Sequence, residues 1–267
     1  LSKRGFELAL VTDSRGKNNY HGKLNEIPNY SVLSGPLVGK SKLNKIKSLL
    51  KTCLGIVQAG IILLRKKPIC VVGFGGYASF PCCMAAILLG VDLVIHEQNS
   101  VMSRTNRFLS KYATLIAQSF RNAKYTPLHV KSILTGMPIR ASISALNGNP
   151  YPKLQGEKFN LLVIGGSQGA KIFGEIIPEA VKLLPEEIRH NLKITQQCKE
   201  EDITAVKEIY AQSGCELDIS SFFNDMPKLY TQSHLIISRA GASSVFEIAA
   251  AGLPSILIPL PTAADDH

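Results

Sequence analysis

Residues 160–184 read NLLVIGGSQGAKIFGEIIPEAVKLL, and this stretch decides the fold. Residues 160–164 form a short, almost wholly apolar run, the pattern of a strand covered on both faces of a parallel sheet. Gly165-Gly166-Ser167-Gln168-Gly169 follows directly. A helix-forming run then extends to about Leu184, with Pro178 expected to kink it. Strand, glycine loop and helix in immediate succession make one unit of a doubly wound α/β sheet.

On the carboxyl side, residues 191–195, 216–219, 235–238 and 255–258 read as further strands, with a helix over about 244–251 stopped by Gly252. On the amino side, residues 135–157 hold Pro138, Gly148, Pro150, Pro152 and Gly156, the composition of an interdomain linker. Before it the alternation occurs once more. A strand over 6–12 precedes a polar, turn-rich stretch over 18–36 and an amphipathic helix over 42–64. A strand over 69–72 then ends in Gly73-Phe74-Gly75-Gly76. A helix over 81–89 opens on Pro81, and a strand over 92–95 runs into His96-Glu97-Gln98-Asn99. The expected fold is α/β with two Rossmann-like domains, 1–138 and 158–267, joined by a linker at 139–157.

The 267 residues fit one to two domains, and 45% hydrophobic against 19% charged describes a core-forming chain. The net charge of +10 is unevenly distributed: residues 27–91 contain no Asp or Glu but hold Lys40, Lys42, Lys45, Lys47, Lys51, Arg65, Lys66 and Lys67. A generally basic, histone-like surface is thereby excluded, and the local excess points to an anionic partner. The longest apolar run, 54–64, is shorter than the about 20 residues of a membrane span. No secretory signal pattern opens the chain. Cys53, Cys70, Cys82, Cys83, Cys198 and Cys215 show no zinc-ligand spacing and read as reduced thiols, the vicinal pair as helix packing. Leu1-Ser2-Lys3-Arg4-Gly5 reads as the last turn of a helix and its stop, and the chain ends just after a strand. Both ends suggest a fragment.

Four sites could carry chemistry. The 165–169 loop offers free backbone N–H groups at a helix N-terminus, a phosphate site, although a tight turn alone would also need glycine. Gly73-Phe74-Gly75-Gly76-Tyr77-Ala78 fits G-x-G-x-x-A after a strand, with Glu97 at the end of the next one. That makes an NAD-dependent oxidoreductase the rival enzymatic reading, weakened by Pro81, which would start the helix too late for a dinucleotide turn. In Arg239-Ala240-Gly241-Ala242-Ser243-Ser244-Val245-Phe246-Glu247, a glutamate near a helix start suits a ribose diol. Ser244-x-x-Glu247 is equally a capping box, and spacing alone favours the cap. His96-Glu97-Gln98-Asn99 lies where open α/β sheets hold ligands, or is a polar loop capping the next helix.

The basic helix over 42–64 places Leu43, Ile46, Leu50, Leu54, Val57, Ile61 and Leu64 on one face. Such a helix either packs that face on a core or lies on an anionic membrane, and the two readings are evenly matched. Nucleic acid is not expected, since no recognition module occurs and basic residues are not interleaved with aromatics.

Taken in order, GFGGYASFP, HEQN, TGMPIR, LLVIGGSQGA, FFNDM and SRAGASSVFEIAAAGLPSILIPLP closely resemble the MurG family, within glycosyltransferase family 28. The resemblance covers nearly the whole chain. It implies a GT-B fold, two Rossmann-like domains facing a cleft, with the acceptor on the first and the UDP-sugar on the second. It implies inverting transfer of N-acetylglucosamine from UDP-N-acetylglucosamine to the 4-hydroxyl of the muramoyl sugar of lipid I, giving lipid II. No metal or other cofactor is expected, and no Asp-x-Asp metal motif is present. The implied location is the cytoplasmic face of the bacterial inner membrane, held peripherally, with a cell-wall synthesis complex as a further partner.

By position, the resemblance makes Gly166, Ser167, Gln168 and Gly169 the diphosphate loop and Glu247 the ribose ligand, above the capping alternative. Ala242, Ser243 and Ser244 would lie along the nucleotide, Phe223 would read the uracil edge through its backbone, and Arg140 would stand near the donor. Asn99 would contact the donor sugar, with His96 and Glu97 beside it as catalytic candidates. Gly73, Gly75, Gly76 and Tyr77 would form an acceptor-side loop. Two departures stand out. The family begins with a strand and a Gly-Gly-Thr-Gly-Gly-His loop whose His is the favoured base, and it continues beyond the position of His267 with donor-contacting residues and a closing helix. The expectation is therefore a fragment inactive by itself, with a membrane-associated, non-catalytic remnant as a further alternative.

Overall fold

A computed structural model describes residues 1–14, 16, 26–35, 42–154 and 158–260, without the side chains of Lys3, Lys42, Leu43 and residues 167–170. Two units emerge, Leu1–Gly136 and Met137–Asp266.

In the first unit, β1 (Leu10–Thr12) and β2 (Asn29–Ser31) form a parallel pair. A separate four-stranded parallel sheet runs in sequence order through β3 (Cys70–Gly73), β4 (Asp92–Glu97), β5 (Leu115–Gln118) and β6 (Ser132–Leu134). Its core gathers Val71, Leu93 and Ile95 from the sheet with Ala59 and Leu63 of α1 (Lys42–Lys66) and Cys82, Cys83, Ala85 and Ala86 of α2 (Gly76–Leu89). Burial pushes the Cys82 and Cys83 thiols up to about 11 and about 12, so both stay protonated and inert at neutral pH.

α2 begins five residues earlier than expected. The chain turns at Gly75 (φ +80°) and enters the helix at once, and Pro81 sits inside it. Pro81 therefore does not delay the helix.

α1 favours one of the two readings left open by its sequence. Its apolar stripe does not pack on the core: Ile46, Leu50, Leu54, Val57, Ile61 and Leu64 are all exposed, Leu54 by 57%. The buried face is made of Ser48, Thr52, Ala59 and Leu63. Gly55 lies on this inner side, where an added Cβ would overlap the Leu33 carbonyl. Gln58 Oε1 accepts from Leu33 N at 2.9 Å. Residues 44–66 are also long and apolar enough to cross a membrane, a property that the 54–64 run alone had hidden.

The second unit is a five-stranded parallel sheet in the order β11-β10-β7-β8-β9, formed by β7 (Phe159–Ile164), β8 (Leu192–Gln197), β9 (Glu216–Ser220), β10 (Leu235–Arg239) and β11 (Ser255–Ile258). β7 is central, and its Leu161, Leu162 and Val163 are buried against both faces. One face takes Phe173, Ile177 and Val181 of α5 (Gly166–Lys182), which runs through Pro178. The other takes Met226 and Tyr230 of α8 (Met226–Gln232) and Ile248 of α9 (Ala242–Ala251). The remaining helices are α3 (Arg104–Leu109), α4 (Ala141–Ser144), α6 (Glu186–His190) and α7 (Ile203–Tyr210).

The stretch 139–157 is more than a linker. It carries α4, whose Ile143 is fully buried among Leu162, Ile236 and Ile248. Gly148, Pro150 and Pro152 follow a short helix that belongs to the second unit.

Candidate functional site

The order β11-β10-β7-β8-β9 reverses direction between β7 and β10, so the loops after these two strands flank a topological switch point. α5 starts at Gly166, with φ +61°, directly after β7. Its first orphan donor is already taken: Gly166 N donates to Gln197 Oε1 at 3.2 Å. Gly166 is thus a geometric element of the loop, and the next amides belong to the first helical turn, where a helix has no carbonyl of its own to receive them. Ser167, Gln168 and Gly169 fall in this first turn, and the Ser167 and Gln168 side chains lie outside what the structure describes.

Across the switch point, β10 leads through Gly241 into α9. Gly241 is the N-cap and no side chain caps the helix, so the Ser244–Glu247 capping box does not form. Glu247 instead receives a two-pronged ion pair from Arg140, Nε to Oε1 at 2.9 Å and Nη2 to Oε2 at 2.8 Å. Tyr230 Oη donates to Oε2 at 3.5 Å. Packing delivers these groups: Arg140 caps α4, which Ile143 anchors against Tyr230 and Ile248. Burial, then the Glu247 charge, pushes the Tyr230 phenol up to about 12, which keeps it a donor. Ala242, Ser243 and Ser244 form the first turn of α9. Phe223, in the loop after β9, packs its ring against the α8–α9 core, while Phe222 beside it is exposed.

In the first unit, the ends of β3 and β4 are interlocked. Gly73 is buried, and a Cβ there would stand 2.6 Å from Cys83 Sγ. A Cβ on Gly75 would meet Asn106 Nδ2 at 3.0 Å. Asn106 Nδ2 donates to Glu97 Oε2 at 2.7 Å, and Ser103 N donates to the same oxygen at 3.1 Å. Glu97 Oε1 accepts from Asn99 N at 3.0 Å and Asn99 Nδ2 at 3.4 Å. With 0% exposure and both oxygens occupied, Glu97 holds the loop and helix that follow β4, a scaffold position and not one open to a ligand in this structure.

His96 is also buried. Gln98 Nε2 donates to its Nδ1 at 3.2 Å, and the same amide nitrogen faces the Phe74 and His96 carbonyls at 3.0 and 3.2 Å. Nδ1 is therefore the acceptor, and Nε2 carries the hydrogen toward Gly136 O at 3.3 Å. The ring tilts against Phe74 at 5.5 Å between centroids. Both nitrogens are engaged, so His96 ties the Gly73–Tyr77 loop to the end of the unit. Gly76 is exposed at the start of α2, and Tyr77 and Asn99 are half-buried.

Sequence reasoning brought Arg140 and Glu247 forward separately without pairing them. It missed Tyr230, Gln197 and Asn106, each of which lacks a motif of its own.

Residues 1–118 match the glycosyltransferase family 28 N-terminal domain, and residues 160–267 match the family 28 C-terminal domain. The UDP-N-acetylglucosamine–N-acetylmuramyl-(pentapeptide) pyrophosphoryl-undecaprenol N-acetylglucosamine transferase of Paramagnetospirillum magneticum is 44% identical, over 100% of this chain and 72% of that protein. The chain belongs to glycosyltransferase family 28. The same-named transferase of Rhodospirillum rubrum is 42% identical, over 100% of this chain and 69% of its own. The crystal structure of Acinetobacter baumannii MurG aligns with a TM-score of 0.75 at 31% identity, covering 100% of this chain and 73% of that one. A Neisseria meningitidis UDP-GlcNAc 2-epimerase aligns at 0.62 with 17% identity, covering 94% and 73%, a likeness of fold alone. The family 28 chain is thus an α/β protein of the GT-B class with two domains. The Gly73–Ala78 pattern belongs to a family 28 N-terminal domain, which removes the nicotinamide reading.

Proposed function

We propose that the chain transfers N-acetylglucosamine from UDP-N-acetylglucosamine to the 4-hydroxyl of the muramoyl sugar of lipid I, with inversion, giving lipid II and UDP. The observation that carries this reading is the Glu247 carboxylate, held by Arg140 and Tyr230 on α9 across the switch point from a glycine loop. A carboxylate so placed can accept both hydroxyls of a ribose, and the first turn of α5 can take the diphosphate. In this reading Arg140 yields the carboxylate to the ribose and turns to the donor's negative charge. Phe223 reads the uracil, Ala242 to Ser244 line the nucleotide and Asn99 meets the sugar. Gly73, Gly75, Gly76 and Tyr77 shape the acceptor side.

In the transfer, the acceptor oxygen forms its bond to C1 of the sugar as the C1–O bond to UDP breaks, and UDP leaves with the electron pair. The acceptor proton passes to a base, and the helix-end amides stabilise the charge that grows on the pyrophosphate. His96 and Glu97 serve by holding the loops. Titration calorimetry tests the reading. UDP-N-acetylglucosamine should bind and NAD should not; NAD binding without UDP-sugar binding would overturn it.

We also propose that the exposed stripe of α1 lies on an anionic membrane surface, at the cytoplasmic face where a lipid-linked acceptor is met. One face of the helix is docked on α2, which supports an in-plane position over a spanning one. Lys47, Lys51 and Arg65 flank the stripe. Replacing Lys47, Lys51 and Arg65 with Gln should weaken partition to anionic vesicles about a hundredfold, from about 1 kcal/mol per basic residue. Equal sedimentation of the variant and the parent would count against the proposal.

A further inference from the structure

Gln197 closes β8 and touches the loops on both sides of it. Its Oε1 accepts from Gly166 N at 3.2 Å, and its Nε2 donates to Ser221 O at 3.3 Å. β7, β8 and β9 are adjacent parallel strands, so Gly166, Gln197 and Ser221 sit side by side along the carboxyl edge of the sheet. Gly166 opens α5, and Ser221 leads into Phe222 and Phe223.

We infer that Gln197 is a positioning residue that fixes the distance between the loop facing the diphosphate and the loop facing the base of a uridine diphosphate ligand. The inference rests on the nucleotide reading above. A nucleoside diphosphate must engage both loops at once, so any drift between them is lost binding free energy. One primary amide spans the gap because it carries an acceptor and a donor in one rigid plane. A carboxylate would keep only the first bond, and an ammonium only the second.

The neighbouring glutamine shows that this is not packing. Gln196 points the other way, as strand alternation requires, and is fully buried with its Oε1 accepting from Tyr210 Oη at 2.7 Å. Gln197 is left at the sheet edge with its two loop bonds. The Ser221 loop also has its own internal tie, Ser220 Oγ to Phe222 O at 2.9 Å. That bond holds the turn's shape but does not set its distance from α5.

The experiment compares the parent chain with Gln197→Met, which keeps length and loses both bonds, and with Gln197→Glu, which keeps only the Gly166 bond. UDP, uridine and inorganic pyrophosphate are titrated separately, and thermal melting is the fold control. UDP affinity should fall about tenfold in Gln197→Met, while uridine and pyrophosphate alone each stay within about twofold and melting within about 2 °C. Gln197→Glu should also lose UDP affinity, and it carries the test if the Met variant does not fold. Unchanged UDP affinity in a folded variant overturns the inference and leaves the nucleotide reading standing. So does a parallel loss for all three ligands with a large drop in melting. Failure of the parent to bind UDP overturns the nucleotide reading itself and takes this inference with it.

Discussion

Glu247→Ala should lower the affinity for UDP-N-acetylglucosamine about a hundredfold with little change in thermal stability. Hydrogen bonds to a charged acceptor contribute about 1.5–3 kcal/mol each, and a ribose diol makes two. The ligand must first displace the Arg140 fork. That guanidinium is 55% exposed, so the pair it gives up is worth at most about 1 kcal/mol. The net loss is then about 2–5 kcal/mol in binding, and a hundredfold, about 2.7 kcal/mol, lies in the lower part of that range. On loss of the carboxylate the exposed Arg140 turns to water, and the cost to folding is confined to the buried Tyr230 hydroxyl, whose bond at 3.5 Å is worth about 1 kcal/mol. Calorimetry on Glu247→Ala and Arg140→Ala separates the roles: the first should lose far more than the second. A loss under about threefold for Glu247→Ala would remove the ribose assignment.

Glu97→Ala should produce the opposite pattern, a large loss of stability in the first unit with the affinity of the second unit for UDP, which lacks the sugar that Asn99 would meet, held within about twofold. The substitution leaves Ser103 N and Asn106 Nδ2 buried without their acceptor and releases the Asn99 loop. Removing one side of such a buried charged network costs about 3–5 kcal/mol. Urea denaturation followed by a probe in the first unit should show the midpoint falling. Glu97→Gln, which keeps the shape and one acceptor oxygen, should fall less. A variant with unchanged midpoint and abolished transfer would restore Glu97 to the chemistry.

The second unit was legible because β7, β10 and β11 are short, mostly apolar runs and the loops that follow β7 and β10 are marked by glycine. β7, β10 and β11 lie within a residue of their expected bounds. β5 and β6 gave no signal, having four and three residues, with β6 exposed along its length. α2 was misjudged because Pro81 looked like a first-turn proline, whereas the positive φ of Gly75 starts the helix earlier. Periodicity located the stripe of α1 but not its direction, since a 3.6-residue repeat is the same whether it faces a core or a membrane. The site residues split the same way. Glu247 stood in a motif, but its partner Arg140 lies 107 positions away and is brought near only by the burial of Ile143. Gln197 is one of two consecutive glutamines, and only the strand's alternation separates the structural one from the positioning one.

Gly55 gives α1 a further meaning. Because it has no side chain, the helix can settle against the Leu33 carbonyl, and a side chain there would force the 25-residue rod to shift or tilt on the first unit. The tilt is the angle at which the apolar stripe would meet a flat bilayer. An enzyme resting there would search for its acceptor by two-dimensional diffusion, always with the same side down. One methyl group at Gly55 would leave the stripe apolar and the lysines in place, yet turn the rod, so that the molecule could still adhere but in the wrong orientation for its substrate.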